Sequence, residues 1–218
     1  MDSPESLLPE PQPVEAHRVG EDSQDSGLVG LRAAKRWLDR TTRATTYTSQ
    51  DKPFRDLLAF RWPHGGRTFS YDIGGNFIGG GIDNQTFLGE VKKYKNESDL
   101  PAHFRDFMVK SYVAYKEAPS RCDHFLWISW APFQAQTWDK HCTYERVIAS
   151  LCHPSNIVRG LGVQPGEDVS EAIDHEAAQI VASRIWLLTL SDRQDDLNLL
   201  DAHYKEIIGM IALEEGRR

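Results

Sequence analysis

The sequence predicts an α/β domain, and three observations carry that prediction. Short β-like runs at Leu57–Trp62, Arg67–Ile73 and Thr86–Tyr94 follow one another with glycine-rich punctuation between them, as a meander does. An apolar stripe at Phe104, Phe107, Met108, Tyr112 and Tyr115 then recurs at helical spacing. The run Phe125–Trp130 is nearly all apolar and too short for a helix, the pattern of a strand covered on both faces.

Residues 1–27 hold four prolines, seven acids and one base, with few large apolar groups. Such a stretch buries too little surface to offset its chain entropy and is expected to be a disordered acidic tail. Ser26 is placed to cap a helix from about Leu28 to Arg40, with Leu28, Leu31, Ala34, Trp37 and Leu38 on one face and Arg32, Lys35, Arg36 and Asp39 on the other. Thr41–Asp51 is Thr-rich and β-branched, a loop or an edge strand. The first β-like run ends at the turn Pro63-His64-Gly65-Gly66.

Five glycines fall within the eight residues Gly74–Gly81 and mark tight turns or close backbone approach, here read as a flexible hairpin end beside a cleft. Asp99-Leu100-Pro101 opens the central helix, with proline tolerated in its first turn, and Arg105, Asp106, Lys110 and Lys116 take its outer face. Beyond residue 131 the pattern predicts helices at Tyr144–Leu151, Val169–Ala182 and Leu197–Ala212, the last capped by Asp195 or Asp196. A loop at Gly160–Asp168 and a strand at Ile185–Leu190 complete this part. The expected division is thus a tail (1–27) and one domain (28–218), the latter a core (28–131) with an α/β C-terminal extension (132–218).

Composition narrows the function. The chain has 218 residues and a net charge of −7, yet residues 28–164 carry a net +6 between acidic ends of −6 and −7. A basic middle of this kind suits phosphate-bearing partners as well as ordinary surface scatter. The longest apolar runs fall far short of a bilayer span. The start lacks a basic-then-apolar leader, and three cysteines (Cys122, Cys142, Cys152) are too few for a disulfide scaffold, so a reducing cytoplasm is expected.

The informative constellation is Asp72, followed 18 residues later by Glu90-Val91-Lys92. In a strand Glu90 and Lys92 project to one face while Val91 anchors the other. A neighbouring strand would bring Asp72 close to Glu90. Two carboxylates side by side call for a compensating cation, and a hard oxygen-liganded ion such as Mg²⁺ (or Mn²⁺) fits, with the Val91 carbonyl as a further ligand. Such an ion polarises a phosphoryl oxygen and activates a bound water, and Lys92 is placed to position that water or offset developing charge.

Asp72…Glu90-Val91-Lys92, with the apolar approach Phe87-Leu88-Gly89 and the following amphipathic helix and apolar strand, resembles the PD-(D/E)XK nuclease superfamily over about residues 28–131. The resemblance implies a restriction-endonuclease-like core of helix, three-stranded meander, helix and strand. It also implies an Mg-dependent (endo)deoxyribonuclease acting on DNA, in restriction and phage defence or in repair, as a possible homodimer or partner subunit. In that reading Asp72, Glu90 and Lys92 are catalytic, with metal held by Asp72, Glu90 and the Val91 carbonyl. Asp83, seven residues before Glu90, is the alternative first acid. Tyr71 stands where many members have proline, and Gly30–Ala34 offers no first-helix glutamate. A catalytically decayed member that binds nucleic acid or a partner is the competing expectation.

Other clusters are weighed against these. Cys122-Asp123-His124, His141-Cys142 and Cys152-His153 invite zinc but lack the tight paired spacing of structural sites. A cysteine nucleophile has no local activating pattern. Gly74–Gly81 matches neither the P-loop nor the dinucleotide fingerprint. Trp138, near Gln134, Gln136 and Lys140, is a core residue or a platform for a base. Lys93 and Lys95 are candidates for backbone phosphate or simple solvated lysines.

Overall fold

The structure, a computed structural model, describes residues 15–93 and 99–217, with side chains described from residue 27 onward except Glu215. In chain order its elements are α1 (Glu15–Thr41), β1 (Ala44–Thr48), β2 (Ala59–Phe60), β3 (Phe69–Ser70), β4 (Ile73–Phe77), β5 (Thr86–Lys92) and α2 (Leu100–Glu117). There follow β6 (His124–Ser129), α3 (Tyr144–Leu151), α4 (Ile157–Leu161), α5 (His175–Arg184), β7 (Ile185–Thr189) and α6 (Asp201–Glu215). Five strands make one mixed sheet in the order β1-β4-β5-β6-β7, antiparallel across the first three and parallel across the last three. Parallel neighbours need a long crossover, and α2 supplies it between β5 and β6.

Alternation along the strands sorts the core into two layers. Leu88, Phe125 and Trp127 pack with Phe104, Phe107 and Met108 of α2 on one face. Phe87, Val91, Leu126 and Ile128 pack with Leu31, Ala34 and Leu38 of α1 on the other. Both faces of β5 and β6 are thereby dry, which is why Phe125–Ile128 is apolar at every position. Lys35 and Asp39 tie α1 to β1, with Asp39 accepting from the Thr46 backbone and hydroxyl.

Several expected boundaries move. The first helix starts at Glu15, so Ser26 lies inside it rather than at its cap; residues 1–14 of the expected tail lie outside the described residues. The meander is built from β1, β4 and β5. Leu57–Trp62 instead becomes a 3-10 turn and the two-residue β2, which pairs only with β3 in a separate ladder. Gly74 and Gly75 lie in β4, not in a turn. A Cβ on Gly75 would meet the Thr45 carbonyl oxygen at 2.2 Å and the Phe87 ring at 2.8 Å, so close packing, not bending, requires glycine here. The bend comes later, at Gly79 and Gly80, both with φ of +71°.

In the extension the Tyr144–Leu151 expectation coincides with α3, and the strand expected at Ile185–Leu190 is β7, which ends at Thr189. The helix expected at Val169–Ala182 begins only at His175, because Asp174 caps it by accepting from Ala177 N–H at 3.0 Å. The expected loop at Gly160–Asp168 starts after α4, whose C-cap is Gly162. The last helix starts at Asp201. Asp195 lies in a preceding 3-10 turn whose cap is Ser191, boxed with Gln194.

Candidate functional site

Asp72 is the residue immediately before β4, and its backbone is held from both sides. Its N–H donates to the Gly89 carbonyl and its own carbonyl accepts from Ser49 N–H, each at 3.0 Å. The preceding Tyr71 is fully buried among Phe60, Phe107 and Phe125, which fixes where the chain turns. From that anchor the Asp72 carboxylate reaches across the end of β5. Its Oδ2 accepts from Val91 N–H at 2.8 Å and lies 3.4 Å from Lys92 Nζ.

Glu90 and Lys92 share the face of β5 that lies under α2, and Lys92 Nζ is 2.7 Å from Glu90 Oε2. Glu90 is only 3 % exposed. Its other oxygen, Oε1, accepts from Lys110 Nζ of α2. One ammonium thus bridges two carboxylates and a second ammonium closes the far side. Asp72, Glu90 and Lys92 do converge, on one side of the sheet. Val91 faces α1, as its anchoring position in the strand expects.

The two carboxyls respond oppositely to this environment. Burial, then the Glu90 charge, pushes Asp72 from an ordinary 3.8 up to about 6, despite Lys92. Burial opposes the Glu90 charge as well, but Lys92 and Lys110 outweigh it and bring that carboxyl down to about 2. Asp72 keeps 35 % of its side chain exposed and is the reachable member of the pair. Lys110 is a site residue that sequence reasoning missed. His103 is shifted down by burial and then by the Lys92 charge, which places it within the field of the cluster. Lys110 looks like an outer-face lysine in the sequence. The available signal was topological: a helix crossing from β5 to a parallel neighbour must cover the Leu88–Glu90–Lys92 face.

No family model, curated protein or solved structure matches the chain. The geometry of the site therefore carries the functional argument.

The donor set suits a hard divalent cation. Lys92 C=O accepts from Trp130 N–H on the β6 side at 3.2 Å, so strand alternation turns the Val91 carbonyl to the other side, where Val91 N–H meets Asp72. Two carboxylates and a carbonyl are all oxygen donors, and a cation there would offset the Glu90 charge that, after burial, raises the Asp72 carboxyl. Among the described residues no group of three or more His, Cys, Asp or Glu side chains converges. Mg²⁺ does not need one, since it keeps several waters and takes one or two carboxylates.

The alternative first acid does not reach this place. Asp83 sits in the β4–β5 turn, accepting from Gly79 N–H and from the Asn84 side chain. That turn is the far end of β4, about 16 Å of strand from Asp72. The glycine-rich turn consequently lies away from the cluster rather than beside it. No acid of α1 within the described side chains joins the cluster either; Asp39 is committed to Thr46.

The cysteines and histidines weighed for zinc have other surroundings. His124 bonds Gln85 and Trp186, His141 meets the Phe133 carbonyl, and His153 meets Ser155. The three cysteines are free, and burial pushes Cys122 up to about 12 and Cys142 up to about 11, the opposite of an activated thiolate. Trp138 packs its ring edge-on to Phe133 and His141. Lys93 turns to the α1 side, bonding Asp192 at 2.6 Å over the Trp130 ring. Lys95 lies outside the described residues. No helix among the described residues is long and apolar enough to cross a membrane.

Proposed function

We propose that the chain is a metal-dependent nuclease that hydrolyses DNA phosphodiester bonds, on a restriction-endonuclease-like core of α1, the β1-β4-β5 meander, α2 and β6. One observation carries the reading: the Lys92 ammonium lies between the Asp72 and Glu90 carboxylates at the end of β5. Mg²⁺ or Mn²⁺ would be held by Asp72, Glu90 and the Val91 carbonyl. When bound, it would polarise a phosphoryl oxygen and bring a water's pKa towards roughly 7. Lys92, already held between the acids, orients the attacking water and offsets charge growing on the phosphoryl oxygens. Burial of Glu90 excludes solvent from that side and strengthens each of these interactions.

A defence or restriction role in the cytoplasm, with repair as the next choice, goes with this reading. Exposed Ile207, Ile208, Met210 and Leu213 on α6, with Leu200 just before it, suit a homodimer or a partner subunit. The test is incubation of plasmid with Mg²⁺ or Mn²⁺. Nicking that vanishes in Lys92→Ala and Glu90→Ala but persists in Asp83→Ala supports the enzyme.

A second reading is favoured by one observation: both Glu90 oxygens are already taken by lysines. In a decayed member the two ammoniums would permanently replace the cation, leaving a module that binds nucleic acid or a partner. Retention of DNA without cleavage in any divalent metal would select it.

A further inference from the structure

Apart from the Asp72–Glu90–Lys92 cluster, two neighbouring arginines have no ion-pair partner among the described residues and a buried Nε each. Arg105 belongs to the first turns of α2 and Arg146 to the first turn of α3. Neither forms an ion pair among the described residues, whereas Arg36, Arg40 and Arg159 each have an aspartate. The two are close enough that, after burial, the Arg105 charge is what lowers the Arg146 pKa. The Nε of each is buried without a hydrogen-bond partner. Arg146 Nη2 is held by Gln134 Oε1 at 2.8 Å, which fixes its guanidinium plane.

Buried N–H groups are nearly always satisfied, and like charges packed together are costly without a counter-ion. Two partly buried guanidiniums with unsatisfied donors therefore describe a cradle for an anion with several acceptor oxygens. The planar fork of arginine matches phosphate in particular. The place is also informative. Arg105 follows β5, Gln134 follows β6, and Arg146 opens the next helix, so all three gather at the carboxyl ends of the parallel strands. That is the end at which Glu90 and Lys92 lie, and the end at which open α/β sheets bind ligands.

We propose that Arg105 and Arg146, with Gln134, form a subsite for a backbone phosphate of the nucleic-acid strand, next to the one that is cut. This rests on the nuclease reading for the identity of the strand, but not on cleavage. It is tested by the fluorescence anisotropy of a fluorescein-labelled DNA duplex of roughly two helical turns, in EDTA, over a salt series. Arg105→Gln with Arg146→Gln is expected to weaken binding at least roughly tenfold at physiological salt and to flatten the log–log salt slope by about 0.9, the share of one phosphate, with each single variant giving part of that change. Arg105→Lys with Arg146→Lys should keep the slope, as should Arg193→Gln, which removes an exposed charge elsewhere. Thermal melts identify any variant that fails to fold, and the single variants then carry the test.

A slope unchanged in the glutamine variants, or lowered as much by Arg193→Gln, overturns the subsite, as does a wild-type protein that binds no duplex. If the slope is unchanged while wild-type protein nicks plasmid, the subsite fails and the nuclease stands. If the slope flattens as expected but no metal supports nicking, the nuclease fails and the phosphate subsite stands.

Discussion

Lys92 and Lys93 are neighbours in the chain with opposite surroundings. Lys92 lies under α2, bridging Asp72 and Glu90, with 17 % of its side chain exposed. Lys93 lies against α1, its stem filling the space left by Gly30 and its ammonium on the exposed Asp192. One face of β5 collects charge that is buried and mutually dependent; the other uses charge to clip a loop to the surface. The difference teaches that a strand passing between two helical layers separates chemistry from scaffolding by alternation alone.

The largest break in this contrast comes from Glu90→Ala. It strands two ammoniums, Lys92 and Lys110, without their shared carboxylate, and is expected to cost about 3 kcal/mol of stability. Cleavage is expected to fall at least about a hundredfold with it. Urea melts and plasmid nicking measure both, and a variant as stable as wild type would remove the cluster from the fold's energetics. Next is Lys92→Ala, expected to lower cleavage by roughly 10²–10³. Lys93→Ala should leave cleavage intact and change stability by no more than about 1 kcal/mol. Equal losses from the two lysines, in the same assays, would erase the distinction between the faces.

The two carboxyls sharpen the comparison through pH. Asp72 titrates at about 6 in the fold and near 3.8 when unfolded, so the native state binds more protons in that window and stability falls as pH rises through it. Glu90 acts the other way. Titrating at about 2 rather than 4.5, it contributes stability above 4.5 that is lost as pH falls towards 2. Urea melts across this range should show a decline between about 4 and 6 that disappears in Asp72→Asn. Metal-supported cleavage should rise with pH as Asp72 becomes an anion, with a midpoint below about 6 because a bound cation favours the carboxylate. The smallest effect belongs to Asp83→Ala, which loses the hydrogen bond to Gly79 N–H, about 1 kcal/mol, and keeps its cleavage. A loss of nicking there would return Asp83 to the site.

Much of the site was legible because its residues obey short-range rules. Glu90 and Lys92 are two apart on a strand, and a strand puts them side by side whatever surrounds it. Asp72 was legible because it falls in a β-like run, whereas Asp83 follows Gly79–Gly81 in what reads as a turn. Strand boundaries were less legible. Gly74 and Gly75 have poor strand propensity and read as a turn, yet packing against Thr45 and Phe87 makes glycine the residue that fits. Leu57–Trp62 has strand composition, but its partner is the two-residue β3, so only Ala59 and Phe60 pair. Lys110 was hidden because its sequence neighbours give no hint that α2 lays this lysine on a carboxylate twenty residues earlier.

By itself the sequence determined the α/β alternation, the two core-facing stripes and the identity of the three groups at the end of β5. These follow from period and spacing, which act over a few residues. Only the tertiary structure decided which strands pair, that Asp72 rather than Asp83 meets Glu90, and that Lys110 joins them while Arg105 and Arg146 lie together with no ion-pair partner among the described residues. Those outcomes depend on strand register and on the crossover of α2 and α3 over the sheet, and such contacts are set by the packing of whole layers rather than by any local preference.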